Sequence, residues 1–505
     1  MKNRIYQLVG ALFIISTFTL TQTGCGTVNQ SMVSGNKRVY SMTWAQEVEL
    51  GKQSHPEILA EYGEYKNTKL ATYVNQIGQQ VLLNSEARDA SVATPEILQT
   101  PFTFTVLDSP VVNAFALPGG YIYVTRGLLA HLDNEAQLAV VLGHEIAHVI
   151  ARHTSIQMGR QQRSQIYTIL GVIAGSAAGV SPDLLQTGLQ AASTVVNLKL
   201  LSYGRDAERE ADDLGVKYAA KSGYVVGEAS RFFGSLKRIQ EAAGAKIPAY
   251  MSTHPDPGER EQTIQQKAQT LAATLQMAKV NQQQLFAQID GIKIGEDPRQ
   301  GFDENNIFYH PDMKFQFPIP QGWVIQNGTT EVQMGAVVNG AAQAVLKFTV
   351  AAEKTAQEAA AKFSAQQGLK ILGSNPITVN GMKAYVVEGN SVNQQGQAEY
   401  GLRAYFIEYG TNVYYFLGLT AAANLATWKP SFDSVVSGFK QLTDVDKLNR
   451  QPSYLTLQKA SRIGVFQTFV PQRLSNKLTA EGLAIMNQVQ LGQSITQGAT
   501  LKLVR

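Results

Sequence analysis

Cysteine is all but absent: Cys25 is the only one in 505 residues, so no disulfide can close within the chain. Charge of one sign is scarce too. A net charge of +4, with no run of lysine or arginine, excludes the electrostatic footprint of a nucleic-acid binder, and no nucleic-acid partner is expected. No apolar run reaches the roughly 20 residues that a membrane-spanning helix needs. Histidine is also rare, with seven in the chain, yet three of them fall between positions 144 and 153. Composition is otherwise that of a globular protein, 44% hydrophobic and 16% charged. The length exceeds what one core can organise, so about two to four domains are expected.

The histidine-rich stretch, 137–153, reads QLAVVLGHEIAHVIARH. Apolar residues at Leu138, Val141, Leu142, Ile146, Val149 and Ile150 recur at helical spacing. Asp133 and Asn134 supply an N-cap, and Glu135 sets a negative charge in the first turn. His144 and His148 stand four apart on one helical face, where both imidazoles can reach a single metal ion. Glu145 can then face a metal-bound water and take its proton, which is the chemistry of a zinc peptidase. A third protein ligand is required. Ala151 and Thr154 exclude the HExxHxxGxxH pattern, and His153 reads as a surface residue near the helix end. A carboxylate on a later helix is the best candidate. In the segment 202–215, Glu208 and Asp212 lie four apart, so one can bind metal while the other accepts a hydrogen bond from a ligand histidine. Taken alone, that run also reads as a solvated charged helix.

HEIAHVIARH followed by EREAD resembles the gluzincin family of CAAX-prenyl proteases and HtpX, especially its exported bacterial branch, over residues 40–275. The resemblance implies one Zn2+ per chain on His144, His148 and Glu208, Glu145 as general base and Asp212 as support for a ligand. It also makes the segment Asn113, Ala114, Phe115 and Ala116 an edge strand beside the cleft, able to take an extended peptide by main-chain pairing. Unfolded or misassembled envelope proteins are the implied substrates.

The rest of the chain arranges itself around this segment. Residues 1–24 read as an export signal, with Lys2 and Arg4 before an apolar run. Cys25 then reads as a lipidation site, giving a lipid-anchored protein on the periplasmic side of the envelope. A linker at 25–40 leads to a catalytic domain at 41–276. Within it, helices are expected at 43–62, with a break or restart at Pro56, and at 67–84. A strand follows at 102–107 and a hairpin turns at Pro118-Gly119-Gly120. Apolar residues 166–180 read as a core helix, followed by another at 184–201. Arg205 stands either to stabilise the transition state or to pair with nearby carboxylates. His254, held extended before Pro255, either reaches the metal or the developing oxyanion, or caps the helix at 259–276.

A polar connector at 277–307 precedes an α+β domain at 308–445, whose FQFPIPQGW opening and closing helix resemble PsbP-type domains. A small module at 446–505 is faintly similar to the end of a LysM-like unit, which implies contact with peptidoglycan. The expected fold is thus α+β multidomain: a mainly helical zincin-type catalytic domain with a small sheet, a PsbP-like domain and a C-terminal module. Two rival functions stand beside the peptidase: a chaperone or assembly factor with latent protease activity, and a cell-wall-binding scaffold.

Overall fold

The structure is a computed structural model and describes residues 27–160, 203–243, 250, 254, 257–338, 341–393, 396–474 and 478–505. The export signal, Cys25 and the expected helices at 166–180 and 184–201 lie outside the described residues. Two compact units emerge. One joins the described residues up to Glu296 with Ser453–Arg505, and the other is Asp297–Pro452. Among the described residues, no helix is long and apolar enough to cross a membrane.

The first unit opens with a hairpin of β1 (Thr27–Gln30) and β2 (Lys37–Tyr40). Helix α1 (Trp44–Tyr62) is started by a capping box between Thr43 and Gln46 and runs straight through Pro56, where a break or restart was expected. Packing on both sides of the proline outweighs its one missing backbone bond. Gly51 lies so close to Pro118 that a Cβ would meet the proline carbonyl oxygen at 2.0 Å, and Ile58 is buried among Leu107, Leu117 and Tyr123. Helix α2 (Thr68–Leu82) is capped by Asn67. A three-stranded sheet follows, with β5 (Tyr121–Thr125) central, β3 (Thr103–Leu107) parallel to it and β4 (Ala114–Leu117) antiparallel at one edge. Gly119 and Gly120 turn the β4–β5 hairpin at φ +77° and +94°, a left-handed conformation that side chains resist.

Helix α3 (Glu135–Ile150) carries the histidines, and all sixteen of its residues are buried. Its N-terminal end must therefore satisfy its polar groups internally. Asn134 caps Gln137 N, while Glu135 accepts from Tyr73 and Asn281. Gln137 exchanges amide hydrogen bonds with Gln488, at 2.9 and 2.8 Å. Lys502, 1% exposed, pairs with Asp133 at 2.8 Å and donates to Leu132 O at 3.0 Å.

The polar connector and the C-terminal module were read from the sequence as lying apart from the catalytic domain. In the structure, residues up to 296 and Ser453–Arg505 belong with α3. The connector buries Leu285, Phe286, Ile289 and Ile292, and the C-terminal segment buries Leu455, Leu483 and Leu501 in the same core as Leu138 and Ile146. Strand Ser453–Lys459 pairs on one side with Thr500–Val504 and on the other with Lys293–Ile294.

The second unit is sheet-rich. Seven antiparallel strands run in the order 323–327, 332–338, 341–351, 412–421, 398–409, 382–392, 369–379. Alternation along Ala398–Tyr409 sends Tyr405 and Ile407 to one face, with Phe432 and Phe439, and Ala404 and Phe406 to the other, with Ala359 and Phe363. Helices Leu425–Ser437 and Ala356–Ser364 thus cover opposite faces. The two outer strands escape the sequence pattern. Leu369–Val379 carries Gly373 and Pro376, and proline is tolerated at a sheet edge because no inner partner needs its N–H.

The buried Lys502–Asp133 pair yields the first prediction. Replacing Lys502 with Met leaves Asp133 and the Leu132 carbonyl without their cation and lowers the stability of the first unit by about 3 kcal/mol. Denaturant unfolding of its transition measures this; an unchanged midpoint would mean that the C-terminal dock contributes nothing.

Candidate metal centre

Two helices bring the donors together because both are glycine where they touch. α4 (Arg205–Lys221) packs on α3 with Gly215 against Gly143. A Cβ on Gly215 would lie 2.5 Å from His144 N, and one on Gly143 would lie 2.6 Å from Gly215 O. That backbone contact sets Glu208, in the first turn of α4, opposite the two histidines of α3. A third segment brings His254, followed by helix α5 (Pro257–Ala272) with Arg260.

The result is a buried cluster of four donors. His144, His148, Glu208 and His254 each offer one ligand atom, all within 4.8 Å of one another. His148 Nε2 is 3.0 Å from His144 Nε2 and 3.3 Å from Glu208 Oε1, and His254 Nδ1 is 3.2 Å from both Glu208 oxygens. Sequence reasoning left His254 between the metal and a helix cap; the fold brings it into the cluster. Glu145 stands alongside, fully buried, with neither carboxylate oxygen hydrogen-bonded among the described residues. The nearest cation candidate, His254 Nε2, is 3.6 Å away and equally unpartnered.

Electrostatics suit a cation here. Burial works to raise the Glu208 carboxyl, but His254, His144 and His148 outweigh it and hold the group well below the usual range. Burial and the charge at His144 push His148 far down, which favours a neutral imidazole. His144 is raised to about 9: burial and Arg260 oppose its charge, yet Asp212 and Glu208 prevail. An ionised Glu208 among three imidazoles thus suits a cation at the centre of the cluster. Burial pushes the Glu145 carboxyl up, against His254 and His144. Unpartnered carboxylate oxygens beside four converging donors fit a bound divalent metal.

Further contacts orient the donors. Asp212 Oδ1 lies 2.9 Å from His144 Nδ1, so the ring proton sits there and Nε2 is left to face the cluster. Asp212 in turn accepts two hydrogen bonds from Arg260, at 2.6 and 2.9 Å. Arg260 is itself buried, donates to Tyr250 Oη and lies over the Phe233 ring at 4.2 Å. The sequence reading did not single out Arg260, whose signal is only a Glu-Arg pair opening a helix. It also missed Tyr203, whose ring stacks on His148 at 4.2 Å. Arg205 is exposed in the first turn of α4 and is not one of the clustered donors. His153, expected at the surface, is 4% exposed. The chain turns back at Arg152, with φ +60°, and residues 153–160 resume a helix that carries His153 beneath His148. Asn113, Ala114, Phe115 and Ala116 lie at the outer edge of the small sheet, where Asn113 Oδ1 is buried without a partner among the described residues. Ala116 and Leu117 line the same hollow as His148 and Tyr203.

An HExxH helix, a carboxylate donor from a second helix and a glutamate between them are the arrangement of donors and base that metallopeptidases use. The model of Peptidase family M48 matches residues 73–268, which contain every residue of the site. The beta-barrel assembly-enhancing protease of Escherichia coli (strain K12) is 26% identical over 260 residues, 51% of this chain and 50% of that protein. The mitochondrial metalloendopeptidase OMA1 of Arabidopsis thaliana is 31% identical over 192 residues, 38% of this chain and 37% of that protein. The chain therefore spans about half or less of the length of these relatives. A solution structure of cyanobacterial PsbP from Synechocystis sp. PCC 6803 aligns with 27% of this chain and 91% of its own at 18% identity and a TM-score of 0.23, which carries no argument.

The glycine contact is testable. Gly215→Ala forces α3 and α4 apart, and such overpacking costs about 1–3 kcal/mol. The variant is expected to melt earlier and to bind less than one zinc per chain by elemental analysis. Full zinc content at an unchanged melting temperature would show that the close approach does not set the donor geometry.

Proposed function

We propose that the protein is a zinc metalloendopeptidase of the bacterial envelope that cleaves misfolded or misassembled envelope proteins. The observation that carries this reading is the buried Glu145 carboxylate, unpartnered among the described residues, beside the His144, His148, Glu208 cluster. Bound zinc would polarise the scissile carbonyl and make water acidic enough to surrender a proton near neutral pH. Glu145 is the group placed to accept that proton and pass it to the leaving amine. Its raised affinity for protons suits both halves of the task.

The substrate strand adds to β4. An edge strand offers main-chain groups without regard to side chains, which suits a protease of unfolded polypeptide. The Asn113 side-chain oxygen adds an acceptor for a substrate N–H. The envelope setting rests on the export signal at 1–24, lipidation at Cys25 and the names of the relatives. Within the M48 family we assign the chain to the exported branch of HtpX-like peptidases, and we retain the PsbP-like reading of 308–445.

One observation favours a latent resting state. Catalytic zinc sites use three protein donors and leave the fourth position to water or substrate. Here His254 supplies a fourth donor from within the chain. The chaperone reading then becomes the behaviour of the closed enzyme, with proteolysis following withdrawal of His254. Nothing comparable favours the peptidoglycan-binding scaffold, and the C-terminal segment buries Leu455, Phe466, Leu483 and Leu501 in the core around α3.

Glu145→Gln is expected to keep one zinc per chain and to lose casein cleavage by about 10²–10⁴-fold. Retained cleavage would remove Glu145 from the reaction, and absence of zinc from the wild type would end the metallopeptidase reading. His254→Ala is expected to raise cleavage while zinc remains bound; a fall in cleavage would mean that His254 assists the reaction instead of blocking it.

A further inference from the structure

We propose that His148 is held in its ligating orientation by a chain of three positioning residues, His153, Glu210 and Arg38, that ends on the N-terminal hairpin. The inference rests on the reading of His148 as a metal ligand. His153 Nδ1 is 2.9 Å from His148 Nδ1, and His153 Nε2 is 3.0 Å from Glu210 Oε2. Arg38, on β2, grips Glu210 with both arms, Nη1 to Oε2 at 2.8 Å and Nη2 to Oε1 at 2.6 Å. The two rings at the inner end are 2% and 4% exposed, and the outer Arg38–Glu210 pair is 23% exposed on each side.

Only one placement of protons satisfies every contact while His148 offers its Nε2 lone pair to the cluster. His148 Nδ1–H donates to His153 Nδ1, so the single proton of a neutral His153 sits on Nε2 and donates to Glu210. Glu210, fixed by Arg38, can only accept. Fixing the carboxylate at the rim therefore fixes the tautomer of His153, and with it that of His148.

The geometry leaves His153 little alternative. Arg152, held by Glu47 at 2.8 Å and lying over the Tyr40 ring at 4.1 Å, fixes the turn that places it. Tyr203 closes the face of the His148 ring. The two histidines of the motif are thus supported unequally. His144 leans directly on a carboxylate, Asp212, whereas His148 leans on one through an intervening imidazole.

The test is zinc affinity, read by competition with a chromophoric chelator on the full chain, together with the visible spectrum of the cobalt(II)-loaded protein. His153→Phe removes the acceptor and is expected to weaken zinc binding by about 10–100-fold and to shift the cobalt bands. Arg38→Ala is expected to act in the same direction, less strongly. Because both work through one chain, the double variant should bind no more weakly than His153→Phe alone. Wild-type affinity and an unaltered cobalt spectrum in His153→Phe would overturn the proposal, as would losses that simply add in the double variant. Should His153→Phe fail to fold, Arg38→Ala at the partly exposed end decides the matter, and an unchanged affinity there is equally fatal. A wild type that binds no zinc would instead sink the metal reading beneath it.

Discussion

Burial of charge inside the most apolar helix among the described residues is the constraint on which the rest of this structure depends. α3 buries both histidines and Glu145 among leucine, valine and isoleucine. An uncompensated polar group in such a place costs several kcal/mol, so each one forces a neighbour to be present. His144 requires Asp212, and buried Asp212 requires Arg260. Arg260 is itself buried, and it is completed by the Tyr250 hydroxyl and by the face of Phe233. The chain of obligations runs from one helix through α4 and α5 before it ends. Glu145 is the exception. Among the described residues its oxygens have no hydrogen bond, and the group facing them, His254 Nε2, is equally unpartnered; an unsatisfied pair of that kind beside metal donors marks groups kept for chemistry.

Part of this was legible in the sequence because local periodicity reports it. The spacing of His144 and His148, the Asn134 cap, the four-residue interval from Glu208 to Asp212 and the β4–β5 hairpin are all short-range facts, and each has its counterpart in the structure. What escaped depends on approach between distant segments. Arg260 has no local pattern to distinguish it from any helix-opening arginine. His153 looked like a terminal surface residue because the left-handed turn at Arg152 that folds it inward leaves no mark in a hydrophobic pattern. The apolar residues of the connector and the C-terminal segment gave no hint of whose core they would join. In the seven-stranded sheet, the two edge strands place apolar Val324 and Leu372 on the solvent side, so their hydrophobic pattern does not follow the alternation of burial.

The same constraint explains why the C-terminal segment belongs to the metal-bearing unit. A helix buried along its whole length has no solvent at its N-terminal end to hydrate the last polar groups. Asp133, Gln137 and the Leu132 carbonyl must be satisfied by protein, and Gln488 and Lys502 supply the partners. A helix held at its N-terminal end by Gln488 and Lys502, and just beyond its C-terminal end by Glu47 on Arg152, is also fixed in rotation. Rotation matters because neighbouring residues on a helix point about 100° apart. A turn of that size would swing His144 out of the cluster and put Glu145 in its place. Holding both ends with side chains from sequence-distant segments keeps ligand and base in their separate roles, and it is a constraint that neither end of the helix could impose alone.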